Sequence, residues 1–248
     1  MARTKSISKN SNLSKYLAYT FLIVLCVIWA VPLLFGITTS FRSQTEVVSV
    51  GFRMLPVDWV VENYIATLEN TSTAPIMQWL FNSIFIATIH ATLVVVMVSI
   101  TAYGYTRLKF KGRDFLFFTL LGISLFPGVV NLIPSYKIID VLGWVNTPWA
   151  MIFPGLAGMG NLFLVRQFMV GIPKELDECA KIDGAGDWTI FYKIILPLVR
   201  PVLIVVFLFS FTGSWNDFLW PVIVYTDVER MPVTAGLLLL QDIYGNYR

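Results

Sequence analysis

Apolar residues in this chain come in long uncharged runs separated by short polar segments. They show neither the alternation of a half-buried strand nor the 3.6-residue stripe of a helix on a soluble core. Residues 16–41 carry no charge over 26 positions, more than the roughly 20 that a helix needs to cross a hydrocarbon core. Further charge-free runs occupy 71–106, 115–136, about 147–165 and about 201–226. The pattern predicts an all-α, polytopic transmembrane helical bundle with five spans, at about 16–41, 79–105, 115–136, 147–166 and 201–225. Residues 1–15 form a short polar N-terminal segment, and 16–248 form one transmembrane domain. The first run exceeds the roughly 7–15-residue apolar core of a cleaved signal peptide, so an uncleaved anchor is expected.

Composition agrees, with 56% hydrophobic and 13% charged residues against about 25% charged in soluble domains. The net charge of +3 gives no argument for nucleic acid, and the lysines and arginines are sorted by loop. Thirteen of them precede span one (Arg3 to Lys15), join spans two and three (Arg107 to Arg113) or join spans four and five (Arg166 to Arg200). The other five are Arg42, Arg53, Lys137, Arg230 and Arg248. Positive residues collect on the cytoplasmic side, so a cytoplasmic N-terminus is expected. Five spans then put an external segment at 227–248 with no further apolar run, and the reading is either a true five-span protein or a chain lacking a sixth span, with truncation favoured. Cys26 lies in an apolar run and Cys179 in a cytoplasmic loop, so no disulfide is expected.

The loop at 167–200 is long for a membrane protein and carries five acidic side chains. Pro173 is placed for a helix start, and Glu175, Asp177 and Glu178 suit the positive end of a helix dipole. Gly184-Ala-Gly186 breaks that helix, and Asp187 can cap a second one. In the second, Trp188, Phe191, Tyr192, Ile194 and Ile195 fall at helical spacing as one apolar stripe, ended by Leu196-Pro197. Such a pair either lies on lipid head groups or docks a protein. The acidic first helix, repelled by anionic lipid, favours a protein partner.

The run Glu178-Cys-Ala-Lys-Ile-Asp-Gly184, nine further residues, then Ile194-Ile-Leu-Pro197 resembles the loop signature of binding-protein-dependent ABC importer permeases. That signature reads Glu-Ala-Ala, three residues, Gly, nine residues, Ile-x-Leu-Pro, and the one departure is Cys179 for alanine. Asn63-Tyr64, Asn82-Ser83, Ile133-Pro-Ser-Tyr136 and Ser214-Trp-Asn-Asp-Phe218 are similar to carbohydrate-type permeases, in particular the small permease subunit of maltose-type transporters. The resemblance implies a type I importer permease fold, usually with a sixth span, in the bacterial cytoplasmic (inner) membrane. It also implies a second permease subunit in a heterodimer, two ATPase subunits that bind ATP and Mg, an extracytoplasmic solute-binding protein, and sugar as cargo. The loop's first helix would be a coupling helix, with Glu175, Glu178 and Asp183 as charged contacts, Gly184 as the turn, Ala180 and Ala185 permitting close packing, and Leu196 and Pro197 closing the motif.

The chain carries one histidine, no Gly-x-x-x-x-Gly-Lys-Ser/Thr loop and no His-Glu-x-x-His, so hydrolysis falls to a partner and neither a cofactor nor a metal is expected in the chain itself. Asp217 is the one acid within an apolar run, and an intramembrane carboxylate is a functional candidate by default. With Trp215 and Asn216 it could line a sugar path; equally, these groups could bond a neighbouring helix ahead of Pro221. His90 reads as structural, bonding between helices. Gly155, Gly158 and Gly160 would allow close helix approach, and Pro127, Pro134 and Pro154 could kink their helices. The external loop from Arg42 to Met77 and the segment from Asp227 either receive a solute-binding protein or form a solvated cap. Two rivals remain at this level: an ion-gradient-driven secondary transporter and an envelope scaffold protein.

Overall fold

The computed structural model describes residues 8–49, 53–69 and 74–245. The chain divides into two compact units, Met1–Asn70 and Thr71–Arg248. In the first unit, α1 (Ser8–Ser40) runs unbroken through Pro32. Its stretch Leu13–Ser40 is long and apolar enough to cross a membrane, about 42 Å at 1.5 Å per residue. Two short helices follow, α2 (Gln44–Ser49) and α3 (Glu62–Glu69).

The segment after α1 is folded against that helix's end. Arg42 and Glu46 are buried side by side, Nε to Oε1 3.8 Å, and Glu46 Oε1 accepts the Val57 N–H at 3.0 Å. Asn63 Nδ2 donates to the carbonyls of Ser40 and Arg42 at 3.0 and 2.7 Å, while the Phe41 ring lies 5.3 Å from that of Tyr64. Asn63-Tyr64 thus ties the loop back onto the carbonyls that a helix end leaves without partners.

The second unit is built on α4 (Ile76–Arg107), 32 residues and also long enough to cross. Its buried residues Trp79, Ser83, Ala87, Ala91, Val94 and Val98 recur every three or four positions, giving one inward face. The small members of that face let neighbours approach closely. After it come α5 (Arg113–Ser124), a 3₁₀ turn Gly128–Asn131, α6 (Leu132–Val141), α7 (Trp149–Ile152) and α8 (Met159–Val170). Then follow α9 (Glu175–Ile182), α10 (Asp187–Ile190), a π-helical turn Phe191–Ile195, α11 (Leu196–Leu198), α12 (Arg200–Asn216) and α13 (Leu219–Val224). A 3₁₀ turn Val228–Arg230 leads to α14 (Val233–Gly245). Among the described residues there is no strand, as an all-α fold requires.

Helices α12 and α8 pack along α4 toward its Arg107 end, and α7 and α14 pack toward its Ile76 end. Two apolar cores result. One joins Val98 and Ala102 to Val165, Met169, Val202 and Val206; the other joins Trp79 and Ile86 to Ile152, Val224 and Ala235.

Three of the expected spans are not continuous helices. The range 115–136 breaks at Phe126-Pro127, where α5 and the helical stretch Gly128–Val141 meet at 90°. Proline removes a backbone donor and forces its predecessor out of helical geometry. The range 147–166 is interrupted from Phe153 to Gly158, across Pro154 and two glycines. The range 201–225 breaks at Asp217, whose ψ of 126° is extended. Among the described residues two helices are long and apolar enough to span, or four if each bent pair is one span.

The segment from Asp227 is tied to α4 through its backbone, while Val228, Glu229 and Arg230 stay exposed. Trp79 Nε1 donates to the Val228 carbonyl at 2.6 Å, and Asn82 Nδ2 donates to those of Glu229 and Met231 at 2.9 and 3.1 Å. Ser83 Oγ accepts the Val233 N–H at 2.8 Å. This clasp starts α14, a 13-residue apolar helix with Ala235 fully buried, which is not among the helices long and apolar enough to span.

Candidate functional site

Two places in the second unit concentrate the expected site residues. The first is the helix pair at the Arg107 end of α4. Helix α9 starts at Glu175 and carries Glu175, Asp177 and Glu178 in its first turn and Lys181 in its last, a charge order that complements the helix dipole. It closes in a Schellman turn. Gly184 sits at φ +81°, its N–H donates to the Lys181 carbonyl at 3.0 Å, and the Ala185 N–H donates to the Ala180 carbonyl at 2.9 Å. Glycine occupies that left-handed position without the Cβ penalty.

Glu175, Glu178 and Asp183 are exposed, whereas Ala180 is buried, and Ala185 and Leu196 pack against the core. Pro197 lies apart from these acidic residues, beside the 76° bend between Asp187–Leu198 and Arg200–Asn216. The expected roles therefore divide between an outer acidic face and an inner packing face.

Two expectations for the second helix are revised. Asp187 is its first residue and makes no side-chain cap; the cap position is Gly186, and the Asp187 carboxylate pairs with Lys181 at 3.1 Å. Nor is the aromatic set one stripe. Phe191 and Ile195 are buried with Ile190, while Trp188 and Tyr192 are 71% and 69% exposed. Trp188 and Tyr192, four residues apart, share the outer flank.

Sequence reasoning missed what fastens this pair. Arg107, 4% exposed at the end of α4, sets its Nε 3.0 Å from Asp177 Oδ2 and donates through Nη2 to the Ile172 carbonyl at 3.0 Å. Tyr103, one turn earlier, donates its hydroxyl to the Asp187 carbonyl at 3.0 Å and packs its ring 5.1 Å from Phe191. The available signal was Arg107 itself, the first charge after the longest apolar run.

The second place is a cavity of about 310 Å³ where the three helix interruptions converge. Gly128 and Asn131 come from the 3₁₀ turn, Pro154 and Gly155 from the α7–α8 break, and Gly213, Ser214 and Asp217 from the end of α12. Non-helical backbone at membrane depth is tolerated where it lines such a space. Asp217 Oδ1 accepts the Trp220 N–H at 3.3 Å, which anchors the start of α13. His90 also faces the cavity, with Nδ1 2.8 Å from the Ile152 carbonyl. A methyl at Gly155 would stand only 3.1 Å from His90 Cε1, close enough to press on the ring.

Of the three path candidates, only Asp217 reaches this cavity. Trp215 stacks on Phe211 at 5.8 Å and gives its carbonyl to Thr234 Oγ1 at 2.7 Å, and Asn216 is exposed away from the lining. His90, Asn131 and Ser135 are members that the sequence did not single out for the path. They come from separate elements, and only the fold brings them together.

The arabinooligosaccharides transport system permease protein AraQ of Halalkalibacterium halodurans is 34% identical over 217 residues, covering 87% of this chain and 77% of that protein. The trehalose/maltose transport system permease protein MalG of Thermococcus litoralis is 32% identical, covering 90% of this chain and 80% of its own. The diacetylchitobiose uptake system permease protein NgcG of Streptomyces coelicolor is also 32% identical, with 89% and 72% covered. Among solved structures, a bacterial ABC transporter involved in the import of the acidic polysaccharide alginate superposes with a TM-score of 0.81 over 99% of this chain and 85% of its own. At 20% identity that likeness establishes a shared fold, the type I importer permease fold. The profile of the binding-protein-dependent transport system inner membrane components matches residues 6–241, nearly the whole length, and the chain belongs to that family.

Proposed function

We propose that this chain is the permease subunit of an ATP-driven importer of sugars or oligosaccharides, forming half of the translocation path beside a second permease subunit. Helix α9 docks on one of two cytoplasmic ATPase subunits, which bind ATP and Mg, and an extracytoplasmic binding protein delivers the cargo. The observation that carries this reading is the build of the α9 pair. An outer face bearing Glu175, Glu178 and Asp183 stands on a helix closed by a fixed turn and pinned to α4 by Arg107. A pinned helix passes displacement into α4, where a flexible loop would absorb it. The relatives named as permeases for arabinooligosaccharides, trehalose/maltose and diacetylchitobiose support saccharide as the cargo class.

The rival readings fit less well. A secondary transporter needs a set of intramembrane charges that move with the coupling ion, and a scaffold protein has no use for a pinned acidic helix above a polar cavity.

Affinity purification of the tagged chain from membranes is expected to retain an ATPase subunit and a second permease. In proteoliposomes, saccharide with its binding protein is expected to stimulate hydrolysis. Gly184→Asp keeps open space around its side chain but sets a non-glycine residue at φ +81°, a strain of about 1–2 kcal/mol that unwinds the turn. That variant is expected to reach the membrane and to hydrolyse ATP with at least tenfold less uptake. Purification without an ATPase, together with uptake driven by an ion gradient alone, would refute the proposal.

A further inference from the structure

We infer that the cavity at the three helix interruptions is a saccharide subsite on this subunit, built for neutral sugars and against acidic ones. The inference rests on the importer reading above and deepens it by naming the chemistry of the cargo.

The evidence is the set of hydrogen-bonding groups that face the space. His90 Nδ1 lies 2.8 Å from a carbonyl oxygen, which can only accept, so Nδ1 carries a proton and, when the ring is neutral, Nε2 is an acceptor. The Asp217 carboxylate accepts the Trp220 N–H through Oδ1 and meets the Leu219 N–H as well, which leaves about half of its roughly four acceptor sites unused. Asn131, Ser135 and Ser214 line the same space, and their side chains have no hydrogen-bond partner among the described residues. Five side chains from α4, the 3₁₀ turn, α6 and the end of α12 with its following break thus bring spare capacity to the lining of one volume.

The balance of that capacity selects the ligand. Two groups accept only, and three both donate and accept, so a ligand rich in O–H donors satisfies them. Sugar hydroxyls each donate one hydrogen bond and accept others. Trp220 also lines the space, its Nε1 already committed to the Ala150 carbonyl at 2.8 Å, which leaves the rest of its indole as apolar surface for a sugar. Among the described residues no lysine or arginine lines the cavity. A uronate or phosphorylated sugar would therefore bring its negative charge beside Asp217 with no cation to offset it, in surroundings that screen poorly. The volume of about 310 Å³ is at the lower end of ligand pockets and suits one sugar unit of a longer chain passing through.

The test uses the complete transporter in proteoliposomes with its binding protein, and two groups of labelled probes: neutral trisaccharides of arabinose, glucose and galactose, and trigalacturonate. At least one neutral probe is expected to enter, with trigalacturonate entering at least tenfold more slowly. Asp217→Asn retains an oxygen for the Trp220 N–H but removes the charge, so it preserves the start of α13. It is expected to raise KM for the same neutral probe about tenfold, the usual scale for losing charge-assisted hydrogen bonds, with the binding protein unchanged. Should that variant fail to reach the membrane, Ser135→Ala is expected to raise KM about threefold and takes its place. Comparable or faster entry of trigalacturonate, or an unchanged KM in the variant, overturns the neutral-sugar subsite and leaves the importer reading standing. Entry of no probe overturns both.

Discussion

Arg107 and Asp177 illustrate how much one pair of residues decides at the end of a long helix. Their side chains are 4% and 13% exposed, so neither charge is well solvated, and each depends on the other. Removing one partner of such a pair leaves an uncompensated charge and costs about 3–5 kcal/mol, whereas the exposed Lys181–Asp187 pair contributes at most about 1 kcal/mol. The two pairs therefore differ in kind: the first fixes where α9 sits on α4, and the second decorates its surface. Asp177→Ala is expected to lower uptake per ATP hydrolysed about tenfold, while Lys181→Ala leaves the ratio within twofold. The exchange Arg107→Asp with Asp177→Arg is expected to recover part of the loss. A ratio unaffected by Asp177→Ala would mean that the pair only holds the fold and transmits nothing.

At the scale of elements, the apolar runs marked out segments that are largely helical in the structure but not that three of them are interrupted. A hydropathy run sums side chains, and Phe153 to Gly158 or Asp217-Phe218 changes that sum little while ending a helix outright. The prolines and glycines were visible; their convergence on one cavity was not, because it depends on which breaks face each other. The α9–α10 pair was more legible, since Gly184 and its spacing announce a turn from local chemistry alone, whereas its anchor on Arg107 lies 70 residues upstream of Asp177. Helix α14 was missed because its apolar stretch is short, and what makes it an element is packing on α4. The contact is tight enough to test. A Cβ on Gly236 would overlap the Trp79 ring, and Trp79 is fully buried and bonded to the Val228 carbonyl, so the ring is held in place. Gly236→Ala is expected to loosen α14 from α4, costing about 1–3 kcal/mol as overpacking does, and to open the 227–233 segment to protease in membranes. Unchanged proteolysis would argue that the helix accommodates the methyl by shifting as a whole.

For the whole molecule the open question is which way it faces, and the chain carries its own reporter. Thirteen of eighteen lysines and arginines fall before span one or in the two loops that follow α4 and α8, and five fall in the alternate segments. By the positive-inside rule the asymmetry predicts that the Arg107 end of α4, and with it α9, faces the cytoplasm. Cys179 lies on the exposed face of α9, and the other thiol, Cys26, lies within the apolar stretch of α1. A thiol reacts as its thiolate, which forms in water and not in hydrocarbon, so Cys26 is expected to stay silent from both sides. A membrane-impermeant maleimide is therefore expected to label the chain in inverted vesicles and not in spheroplasts, with Cys179→Ser abolishing the signal and Cys26→Ser leaving it intact. The same thiol reports assembly, because it neighbours Glu178 on the face assigned to the ATPase. Chain expressed alone is expected to label several times faster than chain expressed with its ATPase. Labelling in spheroplasts would invert the topology and place α9 out of reach of any cytoplasmic ATPase, and equal rates with and without the ATPase would remove α9 from the interface.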